Sequence, residues 1–174
     1  MKRSSVLIVA LASFATAVLA AQAAGPTDPQ IASIVVTANQ VDIDAGKLAQ
    51  SVSTNSDVKS FATLMVTDHT GVNKQATDLV TKLHVTPEDN PTSQSLKSGG
   101  DKNIAALKKL KGAAFDKAYV DHEVAYHEQV LKALDDTLIP NAKNAELKAL
   151  LVKVRPAFVA HLDHAKHLQS QLGK

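Results

Sequence analysis

Apolar residues recur at steps of three and four in four stretches of the chain, the spacing that gathers them on one face of an α-helix. In the first stretch Ile31, Val35, Ala38, Ala45, Ala49 and Val52 share a register, flanked by Ile34, Val41 and Leu48. This predicts helix A from about 28 to 53, with Thr27 as N-cap, Pro29 in the first turn and Gln30 closing a capping box. A second register joins Val58, Ala62, Met65, Val72, Ala76, Leu79 and Leu83. It predicts helix B, capped by Ser56 and running to about His84. The three-residue break Thr54-Asn55-Ser56 makes A and B an antiparallel hairpin.

The third stripe is Val120, Val124, Leu131, Leu134 and Leu138, with Phe115, Tyr119, Glu123 and Val130 alongside. It predicts helix C over about 113–138, ended by Pro140. The fourth is Leu147, Leu151, Val154, Phe158, Ala165, Leu168 and Leu172, a helix D over about 144–171. Its phase survives Pro156, so one helix kinked at the proline is expected rather than two. Between B and C lies an irregular stretch from Val85 to Gly112, with Pro87, Pro91 and the pair Gly99-Gly100, read as a hinge or turn. A short amphipathic piece with Ile104, Leu107 and Leu110 closes it. No strand alternation occurs. The expected fold is all-α, a ferritin-like four-helix bundle whose long B–C connection carries a short helix and either crosses from one end to the other, the preferred reading, or folds back as a cover.

Each stripe is interrupted by one polar residue: Asp42, His69, His127 and His161. Each falls within about four residues of its helix midpoint, roughly 6 Å at 1.5 Å per residue. Midpoints of bundled helices lie at similar heights, so the four side chains should converge on one central layer. Three imidazoles and a carboxylate suit a divalent metal such as Zn, Cu, Ni or Fe. They can equally satisfy one another as a hydrogen-bonded network around buried water.

The remaining histidines carry less. His122-Glu123 with His127 is not HExxH, because the second histidine comes five residues after the first. His164, one turn from His161, could add a ligand but reads first as a boundary residue, and His84 and His167 read as solvated. Asp68 and Asp163, beside His69 and His164, read as surface charges. Glu-x-x-His, which ferritin-like di-iron oxidases need, occurs nowhere in the sequence. No nucleophile elbow or phosphate loop is present, so the chain is read as a non-enzyme.

Lys2 and Arg3, the uncharged apolar run Val6 to Ala20 and Ala21-Gln22-Ala23 read as a signal peptide, expected to be cleaved after residue 23, with a retained N-terminal anchor as the alternative. The expected mature domain is 24–174, periplasmic or secreted, without a stable membrane span. No cysteine is present, which excludes a lipoprotein anchor, disulfides, thiolate catalysis and Cys-ligated zinc. The chain has 19 Lys+Arg and 17 Asp+Glu; removing Lys2 and Arg3 leaves 17 of each. With no basic block, two Tyr, four Phe and no Trp, nucleic acid is not an expected partner. The sequence specifies no protein partner, and a homo-oligomer stays open.

Three blocks carry a family likeness. They are Met65-Val66-Thr67-Asp68-His69, then Phe115-Asp116-Lys117-Ala118-Tyr119 with His127 eight residues later, then Pro156 followed by His161-Leu162. In their order and spacing the chain resembles the bacterial exported family known as domain of unknown function 4142. The resemblance implies a ferritin-like helical bundle outside the cytoplasm and no established activity. It also implies histidines at His69, His127 and His161 and an acid near Asp42. The family's acid is usually Glu, so the shorter Asp42 is expected to reach the layer less well. Three readings follow: a bundle binding a divalent metal for storage, buffering or stress protection; a metal-free structural or protein-interaction module of the cell envelope; and, weakest because the di-iron ligands are missing, an oxidoreductase with a mononuclear site.

Overall fold

The computed structural model describes residues 25–173, so the expected signal peptide lies outside it. Helix α1 spans Asp28–Val52 and α2 spans Ser56–Lys82. Gln30 Oε1 accepts from the Thr27 amide at 3.1 Å, closing the capping box. The cap of α2 is Asn55 rather than Ser56: its Oδ1 accepts from the amides of Asp57 and Val58 at 2.9 and 3.2 Å. The two helices approach closely at Gly46, where a Cβ would lie 2.9 Å from Val66 Cγ2 and 3.1 Å from the Ala62 carbonyl oxygen.

The connection between the second and third long helices is itself largely helical. Helix α3 spans Pro91–Leu107 and runs straight through Gly99-Gly100, which are therefore neither hinge nor turn. Asn90 caps it, and Asn90 Nδ2 reaches back to the Gln30 carbonyl at 3.2 Å, pinning its start beside the start of α1. At the other end Leu107 belongs to the same apolar cluster as Ala45, Ala49 and Val58. The connection thus crosses the bundle from end to end along α1. A Cβ on Gly100 would meet Val41 Cγ2 at 2.8 Å, so a residue without a side chain is what allows the two backbones this close.

Helix α4 spans Gly112–Ala133 and passes through a π-helical turn, Leu134–Leu138, into the short α5, Ile139–Asn141. In the widened turn the Ile139 amide donates five residues back, to Leu134. It lies just before Pro140, which has no N–H to give and crowds the turn ahead of it. Helix α6, Ala145–Leu172, is continuous through Pro156. Asp28 joins the ends: its carboxylate accepts from the amides of Lys143 and Asn144, both at 2.8 Å.

The core has two apolar halves. Ile31, Val35, Val72, Leu134, Leu151 and Phe158 belong to one. Phe61, Met65, Phe115, Tyr119, Val120 and Leu168 belong to the other. Between them lies a layer of polar side chains. No helix among the described residues is long and apolar enough to cross a membrane.

Candidate metal centre

The interrupted stripes do bring Asp42, His69, His127 and His161 together. Their side chains come from α1, α2, α4 and α6, and none is more than 3 % exposed. The imidazole ring centres are 5.1 to 5.6 Å apart, and one ring nitrogen from each lies within 4.8 Å of one from each of the others. Asp42 Oδ2 is 3.5 Å from His69 Nε2, so the shorter acid does reach the layer.

Each imidazole has one nitrogen committed. His69 Nδ1 donates to Asn39 Oδ1 at 2.7 Å, and Asn39 Nδ2 donates in turn to the Val35 carbonyl at 2.8 Å. His127 Nδ1 donates to the Glu123 carbonyl one turn earlier, at 3.0 Å. His161 Nε2 donates to Asp68 Oδ2 at 2.9 Å. An amide oxygen, a backbone carbonyl and a carboxylate are the groups that orient metal-ligating histidines. They fix three neutral tautomers and leave His69 Nε2, His127 Nε2 and His161 Nδ1 with free lone pairs. All three of these atoms are buried without a hydrogen-bond partner.

Burial holds all three rings neutral. The His69 pKa lies well below its usual value through desolvation, with His127 and His161 adding to the effect. His127 is lowered to about 4, again chiefly by burial. His161 is also lowered by burial, against an opposing pull from Asp68.

Three residues of the layer escape the stripe pattern. Glu123, 0 % exposed, sits beside Asp42 and His127, with one ligand atom from each of the three within 4.8 Å of the others. Burial raises its carboxyl to about 8, although Asp42 and Tyr119 pull the other way. The Asp42 carboxyl is raised well above its usual range by burial and by Glu123. Asn39 is the orienting partner of His69. Asp68 is not a free surface charge: its side chain is 38 % exposed, yet it holds His161. The ridge Tyr119, Glu123, His127, at steps of four, was the sequence signal for Glu123.

The other histidines stay outside. His122 stacks on Tyr126, His164 lies edge-on to Phe61, and His84 and His167 are exposed. An apolar cavity of about 200 Å³ touches the layer at Asn39, Tyr126 and Phe158, but its mostly aliphatic walls offer no ligand set.

A family model described as "Domain of unknown function (DUF4142)" matches residues 13–168. Among solved structures, "CopM in the Cu(II)-bound form" is similar with a TM-score of 0.64 and 13 % identity. The alignment covers 84 % of this chain and 98 % of CopM's. At that identity the likeness speaks to the fold alone. No curated protein matches the chain.

Proposed function

The chain belongs to the DUF4142 family, and from its central layer we propose that it binds a divalent metal ion through His69, His127 and His161, with Asp42 beside them. The carrying observation is the set of three buried, unpartnered imidazole nitrogens, each opposite a nitrogen tied to an orienting acceptor. Leaving three acceptors unpaired in one buried layer is costly unless something occupies them.

The reading is of a non-enzymatic bundle, exported to the periplasm or secreted, that stores or buffers metal or protects against metal stress. The donor set suits Zn, Cu, Ni or Fe. The likeness in fold to CopM in its Cu(II)-bound form supports starting with copper.

Elemental analysis of mature protein purified from the periplasm without tag or chelator tests this, followed by titration of the metal-free form. About one equivalent is expected, lost in His127→Ala and in His161→Ala while the helical circular dichroism persists. Metal retained by both variants places the site elsewhere, and no binding at micromolar metal removes the reading. A metal-free register device is the second reading. It is favoured by the His69–Asn39 and His161–Asp68 bonds, which link α2 to α1 and to α6.

A further inference from the structure

All four carboxyl oxygens of Asp42 and Glu123 are buried without a hydrogen-bond partner, and so is the Tyr119 hydroxyl next to them. No lysine or arginine is among the buried side chains of the described residues, so no fixed cation faces the two acids. His127 is shared between the imidazole trio and the Asp42–Glu123–His127 trio. Asp42 Oδ2 lies 3.5 Å from the free His69 Nε2, and Glu123 Oε2 lies 3.5 Å from His127 Nδ1, so Glu123 joins the layer through Asp42 and His127 rather than in a separate pocket. Glu123 stands one helical turn before His127, on the same face of α4.

We propose that Glu123 is a second anionic ligand of the central site, and that the Asp42–Glu123 pair makes the site selective for divalent over monovalent cations. This rests on the metal-binding reading above and names the class of ion. Three neutral imidazoles carry no charge and two carboxylates carry minus two, so one divalent ion leaves the layer electrically neutral. A monovalent ion leaves a net negative charge in the buried layer unless one of the acids keeps its proton, and a protonated acid is a poorer ligand. An uncompensated buried charge is among the most costly features a protein can hold. Three nitrogens and two oxygens are a donor set for Zn²⁺, Cu²⁺ or Ni²⁺, whereas a soft monovalent ion favours sulfur ligands.

Zn²⁺ and Ag⁺ are both redox-stable and serve as the divalent and monovalent probes. Each is titrated by competition into the mature chain, into Glu123→Gln and into Asp42→Asn. Glutamine has nearly the shape of a protonated glutamic acid, so the fold survives the change, and circular dichroism verifies it. The wild type should bind Zn²⁺ in preference to Ag⁺. Glu123→Gln should lose about 100-fold or more in Zn²⁺ affinity while its Ag⁺ affinity stays within about tenfold, so that the preference collapses. Asp42→Asn, an independent arm, should behave alike. Wild-type Zn²⁺ binding with affinity and preference unchanged in Glu123→Gln overturns the role of Glu123 and leaves the metal reading standing. Failure of the wild type to bind Zn²⁺ or any other divalent probe overturns both.

Discussion

The chemistry of the layer turns on which nitrogen of each imidazole is free, and that choice is made by groups outside the trio. Asn39 makes it for His69 and Asp68 for His161. Asn39→Ala leaves His69 Nδ1 buried without an acceptor, at a cost of about 1–3 kcal/mol. It should also lower metal affinity about 10–100-fold by freeing the tautomer. Asp68→Asn should reduce metal affinity on the same scale with a smaller loss of stability, because Asp68 can reach water. Urea denaturation and metal titration of the two variants separate these effects. Equal affinity in wild type and both variants would deny the orienting role.

Protonation adds a second consequence at this scale. Glu123 titrates near 8 in the folded protein against an ordinary 4.5, so between those values the folded state keeps a proton that the unfolded chain has released. Metal-free stability therefore falls as pH rises from 4.5 to 8, and Asp42, shifted the same way, adds to the fall. His127 is lowered to about 4 from 6.5, so below 6.5 the unfolded chain takes up a proton that the folded state refuses. Stability then falls as pH drops, and His69 and His161 act likewise. The two trends oppose each other between 4.5 and 6.5, and above 6.5 the acids act alone. The urea midpoint of metal-free protein should be lower at about pH 8 than at about pH 6.5, and Glu123→Gln should reduce that difference. A midpoint that rises between those pH values would mean the acids are ionised in the fold.

At the scale of elements, the pair Gly99-Gly100 shows what sequence spacing reveals and what it hides. Two glycines among polar residues signal a break, yet both sit inside α3. Gly100 is there because α1 approaches at Val41, a fact of tertiary packing that no local pattern carries. A Cβ on Gly99 meets nothing within 4 Å. Gly99→Ala should therefore stabilise the protein by about 0.5–1 kcal/mol through helix propensity. Gly100→Ala, one residue on, should destabilise it by about 1–3 kcal/mol through overpacking against Val41. Thermal unfolding of the two variants checks the opposite signs, and equal shifts would mean that α3 does not pack on α1 this closely.

The same contrast holds for the candidate site. Asp42, His69, His127 and His161 were legible because a long amphipathic helix makes a polar residue in its apolar stripe conspicuous. Glu123 lies on the flank of the α4 stripe, where an acid reads as solvated. It is buried because the Asp42 region of α1 covers that flank. Asp68 precedes His69 and points to a different side of α2, and only the position of α6 makes it a partner of His161.

For the whole molecule, the division of the core into two apolar halves decides what the layer contributes to folding. Ile31, Leu134, Leu151 and Phe158 on one side and Phe61, Phe115, Tyr119 and Leu168 on the other bury enough surface to hold the helices without an ion. Chelator treatment should therefore leave the helical circular dichroism intact. Free metal at about a thousand times its Kd should raise stability by about 4 kcal/mol, read as a higher Tm. The combined replacement His69→Leu, His127→Leu, His161→Leu separates the two readings of the layer. Exchanging a buried polar layer for apolar side chains is commonly neutral or stabilising by about 1–4 kcal/mol. A variant that folds at least as stably as the metal-free wild type and gains nothing from added metal would show that the layer is retained for binding, at the expense of stability. A variant that loses helicity or forms mixed species would show instead that the polar contacts set the register of α1, α2 and α6, and the metal reading would then rest on titration of the single variants alone.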